Sequence, residues 1–215
     1  MPRIARVVAP DIPHHITQRG NRRQQTFFCD DDYRIYIDLM AESCRLHAVE
    51  IWAYCLMPNH VHLIAVPDSR ESLALAIGDA HQRYTRHINF REGWRGHLWQ
   101  GRFASYPMDE RHTLAAARYI ELNPVKAQIV KYPQDYAWSS ASAHINGKDD
   151  KLLKSEPLLA MICDWKEFLA EPLTELEERV MTRQEQAARP AGSKDFISRV
   201  GRILGRLFEK GKPGP

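Results

Sequence analysis

The segment YCLMPNHVHLI, residues 54–64, places two histidines in an apolar run directly after a Pro-Asn pair. Proline and asparagine are typical turn residues, so a hairpin is predicted, with strands over 49–56 and 60–66. Residues i and i+2 of a strand lie on the same face of a sheet. We therefore expect His60 and His62 to project from one face of the second strand.

Hydrophobic periodicity on either side of this hairpin predicts the remaining elements of the fold. Before the hairpin, a strand is predicted over 12–17 and a helix from Asp30 to about 47. After it come a second helix, a strand over 98–106 and a third helix over 113–123. The second helix has on one face Leu73, Ile77, Ala80, Tyr84 and Ile88. The order is β-α-β-β-α-β, followed by a helix. This order predicts an α+β, ferredoxin-like fold, with an antiparallel sheet and both of its helices on one face.

The sequence changes in character near residue 145, where INGKDDK resembles a linker. We expect a catalytic domain over 1–145 and a helical, C-terminally basic extension over 146–215, with helical segments over 156–169, 172–187 and 193–210. The last segment is amphipathic, with Phe196, Val200, Ile203, Leu204, Leu207 and Phe208 on one face. Three interpretations stay open: docking on the catalytic domain, binding of DNA, or binding to a membrane surface.

Composition restricts the class of protein. The chain has 215 residues and a net charge of +3, and its four cysteines are scattered without a C-x-x-C pair. This cysteine pattern argues against a disulfide framework or a zinc ribbon and fits a reducing compartment. The sequence has neither a signal-peptide core nor an apolar run of membrane-spanning length. A cytoplasmic protein with no membrane partner is expected.

Two imidazoles on one face of a strand can bind the same metal ion, although buried histidines can also simply hydrogen-bond. The stretch RYIELNPV offers further site residues, because Tyr119 and Asn123 are four apart and share a helical face. A hydroxyl one turn from an amide oxygen suits a nucleophile beside a metal ligand. Asn123 could instead cap a new helix, since Pro124 follows it. Tyr119 could equally be a packing residue.

Four motifs in this order, QRGNRRQ, YCLMPNHVHLI, LWQGRF and YIELNPV, resemble the REP-associated tyrosine transposases of the HUH superfamily. The resemblance covers residues 12–141 and implies that His60 and His62 bind Mg²⁺ or Mn²⁺ and that Tyr119 is the nucleophile. It also implies a single-stranded or hairpin DNA partner from repeated palindromes, and a homodimer as one assembly. In related transposases the third metal ligand is usually a glutamine one turn after the tyrosine, where this chain has the shorter Asn123.

Basic residues near these motifs are candidates for phosphate contacts. Those in the loop QRGNRRQ are Arg19, Arg22 and Arg23, those on the second helix are Arg83 and Arg86, the one in LWQGRF is Arg102, and those in the last helix are Arg199, Arg202 and Arg206.

Two other functions compete with a transposase. A histidine-triad nucleotide hydrolase also has an H-hydrophobe-H motif, but it needs a third histidine where this chain has Ile64. A catalytically silent protein that binds DNA hairpins is the non-enzymatic alternative, and the presence of His60, His62 and Tyr119 argues against it.

Overall fold

A computed structural model describes residues 6–171, 173–174 and 189–208. Its sheet has four strands: β1 (His14–Arg19), β2 (Val49–Met57), β3 (His60–Pro67) and β4 (Ala104–Pro107). The strand order is β2-β3-β1-β4 and all pairings are antiparallel. Two long helices, α1 (Asp30–Leu46) and α2 (Ser72–Glu92), connect the strands, and α3 (Glu110–Lys126) follows the sheet. The predicted ferredoxin-like order is confirmed.

The alternation of β3 separates two apolar cores. Val61, Leu63 and Ala65 belong to the core formed with α1 and α2, whereas Ile64 belongs to a second core formed with α3. Because successive side chains of a strand project to opposite faces, β3 is covered on both sides. Met57 pairs with His60, so Pro58 and Asn59 alone make the turn of the predicted hairpin.

Two predicted boundaries were wrong for identifiable reasons. The strand expected over 98–106 is only Ala104–Pro107, because Gly101 has a φ of 66° that interrupts extended structure. The first strand begins at His14 rather than at residue 12 and continues to Arg19, which pairs with His60.

The segment after α3 forms short helices that contribute to the second core, the one formed with α3. They are α4 (Ala141–Asn146), α5 (Glu156–Leu159) and α6 (Trp165–Ala170), so the single helix predicted over 156–169 is in fact two helices. The helix predicted over 172–187 lies almost entirely outside the described residues.

The last described helix, α7 (Lys194–Leu204), buries Phe196 and Val200 against Val7, Ala9 and Ile12. The apolar face predicted for this helix was only partly correct. Gly205 ends the helix in the left-handed conformation, so residues 207 and 208 lie beyond it, and Ile203 and Leu207 are 39% and 95% exposed. Docking of this segment is therefore observed through the buried Phe196 and Val200, with the partly buried Ile197, Leu204 and Phe208 packed against the same cluster.

A buried carboxylate fixes the orientation of α3. Glu121 is fully buried, and its Oε1 accepts hydrogen bonds from the Ser140 hydroxyl and from His144 Nδ1, the latter at 2.6 Å. Its Oε2 accepts from the indole N–H of Trp165 at 2.7 Å. This one side chain thus joins α3 to α4 and α6.

We expect Glu121→Ala to lower the free energy of unfolding by about 3–5 kcal/mol, because the change leaves several buried polar groups without an acceptor. Urea unfolding measured by circular dichroism tests this. The matched control is Glu110→Ala on the exposed start of the same helix, which should cost less than about 1 kcal/mol. Equal effects of the two changes would show that the Glu121 cluster does not stabilise α3.

Candidate active site

His60 and His62 project from β3 toward α3, on the same face as Arg19 and Thr17 of the neighbouring strand. The ring centroids of the two histidines lie 5.0 Å apart, with planes at 82°. The structure thus brings together the two imidazoles that the sequence predicted to share a face.

Asn59 of the hairpin turn sets the protonation pattern of His60. Its amide nitrogen donates to the Arg23 carbonyl at 3.2 Å, so its Oδ1 is the atom that faces His60 Nδ1 at 2.6 Å. An amide oxygen can only accept, so Nδ1 of His60 carries the proton and Nε2 keeps the lone pair. Burial, reinforced by the charge of Arg19, lowers the pKa of His60 to about 4. The ring is therefore neutral at pH 7.

His62 is held by a second histidine that lies behind it. The His62 side chain is buried, and its Nδ1 lies 3.1 Å from Nε2 of His15 on β1. Nδ1 of His15 in turn lies 2.7 Å from the Tyr106 hydroxyl. Burial, and then the neighbouring His15, His60 and Arg19, lowers the pKa of His62 well below its ordinary value. The two β3 imidazoles are thus both neutral, which is the state that ligates a metal.

Tyr119 approaches these histidines from α3. Its ring is nearly perpendicular to that of His62, at 86° with centroids 5.6 Å apart, and it also contacts His15 at 6.3 Å. Two other tyrosines, Tyr84 and Tyr106, are rival candidates for the nucleophile. Tyr84 is fully buried, and its hydroxyl donates to the Thr26 carbonyl in the core formed by α1 and α2. Tyr106 hydrogen-bonds His15 and is also buried. Tyr119 is the partly exposed tyrosine of the three.

Asn123 lies within α3 rather than at the start of a new helix. The helix continues through Pro124 to Lys126, and the amide of Ala127 donates to the Asn123 carbonyl. The alternative of Asn123 as a helix cap is therefore wrong. Its side-chain Nδ2 donates to the Tyr119 carbonyl at 3.2 Å, and Oδ1 is the remaining acceptor of the side chain.

The side chains of His60, His62 and Asn123 fit a divalent cation that takes its other ligands from water or substrate. Within the described ranges, no three His, Cys, Asp or Glu side chains are grouped to hold a metal. The two neutral imidazoles provide two nitrogen ligands, and Asn123 could add an amide oxygen. Mg²⁺ and Mn²⁺ commonly complete such partial sites with water and substrate phosphates.

Two basic loops lie side by side next to His60: the predicted loop QRGNRRQ, and the segment 98–103, which was predicted as part of a strand. Asn21 N donates to the Leu98 carbonyl and Gln100 N donates to the Arg19 carbonyl, each at 2.8 Å. A Cβ on Gly20 would lie 2.3 Å from the Gln24 carbonyl oxygen, so glycine is needed there for close backbone approach. The structure thus brings together four of the predicted basic residues at this end of the sheet, namely Arg19, Arg22, Arg23 and Arg102.

The other predicted basic residues lie apart from these loops. Arg83 of α2 is paired with Glu42 at 2.7 Å and Asp79 at 3.4 Å, whereas Arg86 lines an open groove beside Phe90 and Trp94. Arg199, Arg202 and Arg206 are exposed on and after α7. None of the described helices is long and apolar enough to cross a membrane.

Sequence reasoning gave no role to His15, although a signal was present. His14 and His15 are consecutive in a strand, so one of them must share the face of His60 and His62 once the strands pair. What the sequence did not reveal was the register of β1 against β3, which decides which histidine it is.

Comparisons with known proteins show which family and which solved folds this chain is similar to. The family described as "Transposase IS200 like" matches residues 9–123. A solved REP-associated tyrosine transposase bound to a REP hairpin shares 21% identity with a TM-score of 0.59, covering 72% of this chain and 92% of its own. A candidate transposase of Deinococcus radiodurans R1 shares 20% identity with a TM-score of 0.40, covering 56% and 96% of the respective chains. The search of curated proteins found no match.

Proposed function

This chain belongs to the family of IS200-like transposases and is an enzyme that acts on DNA, and we propose that it nicks and rejoins single-stranded DNA through Tyr119. The observation that carries this proposal is the contact of the Tyr119 ring with His62, beside His60. A hydroxyl-bearing side chain next to two neutral imidazoles is the arrangement expected for a nucleophile beside a metal-bound phosphate.

The reaction proposed for Tyr119 is a phosphoryl transfer. Its phenolic oxygen attacks the scissile phosphorus and loses its proton, while the bond from phosphorus to the 3′ oxygen breaks and that oxygen takes up a proton. The products are a 5′-phosphotyrosine and a free 3′-hydroxyl. Because the new linkage is also a phosphodiester, the reverse reaction rejoins strands without a nucleotide cofactor.

The proposed cofactor is Mg²⁺ or Mn²⁺, held by His60, His62 and Asn123. When bound, the ion supplies Lewis-acid polarisation of the scissile phosphate. The protein contributes ligand orientation, because the Asn59 amide fixes His60 and the buried His15 contacts His62. Burial lowers the pKa of both imidazoles, so both rings are neutral at pH 7.

The proposed substrate is single-stranded DNA near a hairpin of repeated palindromes. The support is the four sequence motifs, together with the likeness to a transposase solved on a REP hairpin. The two basic loops beside His60 would contact the hairpin phosphates. The family match favours this function over a histidine-triad hydrolase.

We expect Tyr119→Phe to abolish a covalent protein–DNA adduct while leaving hairpin affinity nearly unchanged, because it removes the attacking oxygen and retains the ring. Labelled hairpin DNA mixed with Mn²⁺ and resolved on a denaturing gel measures the adduct. Tyr132→Phe, a change at an exposed tyrosine, should leave the adduct intact. If Tyr119→Phe still forms the adduct, Tyr119 is not the nucleophile. If the wild-type protein forms no adduct, the alternative of a catalytically silent protein that binds DNA hairpins is favoured.

We expect Asn123→Ala to raise the Mn²⁺ concentration needed for half-maximal cleavage without lowering the melting temperature by more than a few degrees. The reason is that Asn123 offers an oxygen to the ion and does not cap a helix. Cleavage titrated with Mn²⁺ and a thermal melt of the same variant measure both effects. Unchanged metal dependence would remove Asn123 from the ligand set, whereas His60→Ala and His62→Ala should each lose cleavage.

We expect the double change Arg199→Ala and Arg202→Ala to flatten the dependence of hairpin affinity on log[salt], by roughly 0.7–0.9 for each lost phosphate contact. Both arginines are exposed on α7, but the Arg199 guanidinium lies 5.6 Å from the centroid of the Phe196 ring, so a thermal melt checks that the double variant stays folded. Fluorescence anisotropy at several salt concentrations measures the slope. Arg34→Ala removes a charge paired with Asp30 and Asp31 and should not alter it. An unchanged slope in the α7 variant would exclude α7 from the DNA interface.

A further inference from the structure

His15 is a fully buried histidine whose two ring nitrogens both contact other side chains. We propose that His15 is a positioning residue that holds His62 in the tautomer whose Nε2 carries the lone pair needed to ligate a divalent cation. This inference rests on the proposed function, because it assigns a role to His15 at the same metal site.

The hydrogen bonds from Tyr106 through His15 to His62 can run in either of two directions, depending on which nitrogen of each ring carries the proton. In the first, the Tyr106 hydroxyl donates to His15 Nδ1, and His15 Nε2–H donates to His62 Nδ1. A neutral His62 then carries its proton on Nε2. In the second, His62 Nδ1–H donates to His15 Nε2, and His15 Nδ1–H donates to the Tyr106 oxygen. His62 Nε2 then carries a lone pair.

Only the second direction is compatible with a metal on His62 Nε2. A ligating nitrogen must be unprotonated, and a metal-bound histidine usually donates its other N–H to an acceptor behind it. Nδ1 of His62 faces His15 at 3.1 Å, so a cation on His62 would be ligated by Nε2. His15 is then the acceptor that orients His62, much as Asn59 orients His60.

The surroundings of His15 favour a defined ring orientation. Its ring plane lies 22° from that of His62, so the two rings are nearly parallel, and it meets the Tyr106 ring at 80°. Tyr106 is opposite His15 in the pairing of β1 with β4. The central position of β1 between β3 and β4 thus places His15 between its two partners.

The adjacent His14 shows how a structural histidine differs from His15. His14 is also fully buried, but its Nδ1 lies 2.7 Å from the Ile12 carbonyl and its Nε2 accepts from the Ala9 amide. Both of its partners are backbone groups of the N-terminal segment, and its side chain projects to the other face of the sheet. His15, in contrast, has side-chain partners, one of them the proposed ligand His62.

The test compares Mn²⁺ affinities of the full-length protein at pH 7.5 with hairpin DNA present, measured from the electron paramagnetic resonance signal of free Mn²⁺. His15→Phe removes the acceptor but keeps an aromatic ring, and we expect about 10- to 100-fold weaker binding, as is typical when a partner behind a metal ligand is lost. His15→Gln places a carbonyl oxygen where Nε2 was and should restore most of that affinity. His14→Gln, on the same strand, should bind Mn²⁺ as the wild type does.

A second measurement reads the tautomer directly and keeps the inference falsifiable if His15→Phe folds poorly. Long-range ¹H–¹⁵N correlation spectra of the wild-type protein should show His62 protonated on Nδ1. A proton on Nε2, or wild-type Mn²⁺ affinity in folded His15→Phe, would overturn the role of His15. His62→Ala distinguishes failure of the metal site from failure of the role of His15. If His15→Phe and His62→Ala both bind Mn²⁺ as the wild type does, the proposed metal site is wrong. If only His62→Ala binds Mn²⁺ more weakly, the metal site stands and only the role of His15 is overturned.

Discussion

The period-two alternation of β3 is the constraint on which the rest of the structure depends. Val61, Leu63 and Ala65 enter the core with α1 and α2, so His60, His62 and Ile64 must face α3. A shift of one residue in register would exchange these two sets and bury the imidazoles among the helices of the large core. The apolar residues of β3 thus specify the direction of the histidines, and the position of the site follows from packing.

The helix α3, which carries the proposed nucleophile Tyr119, is held in part by the segment that follows it. Glu121 lies two residues after Tyr119 and is bound by Ser140, His144 and Trp165. A buried carboxylate is costly to desolvate, and it stabilises a fold only when several donors surround it. Its main effect is to give α3 one orientation. The segment from α4 to α6 is therefore part of what places the proposed nucleophile against β3.

The sequence predicted the repeating elements well and the three-dimensional pairings poorly. The H-x-H strand, the long helices and the strand order could be read from local periodicity, because each pattern repeats over several residues. The shortening of β4 depends on the backbone angle of Gly101, which the residue type permits but does not require. His15 escaped notice because its meaning depends on the pairing of β1 with β3. Likewise, the continuation of α3 through Pro124 depends on tertiary packing that outweighs local preference.

Burial of the histidines has opposite consequences for stability and for metal binding. The folded pKa of His60 is about 4, whereas an unfolded histidine titrates near 6.5. Between these values the unfolded chain binds more protons than the folded chain, so the free energy of unfolding falls as pH is lowered from 6.5 toward 4. Over the same interval the folded imidazole stays neutral and competent to ligate a cation. The burial that lowers stability in acid therefore also keeps this proposed ligand neutral, as expected of a site specified by function rather than by stability.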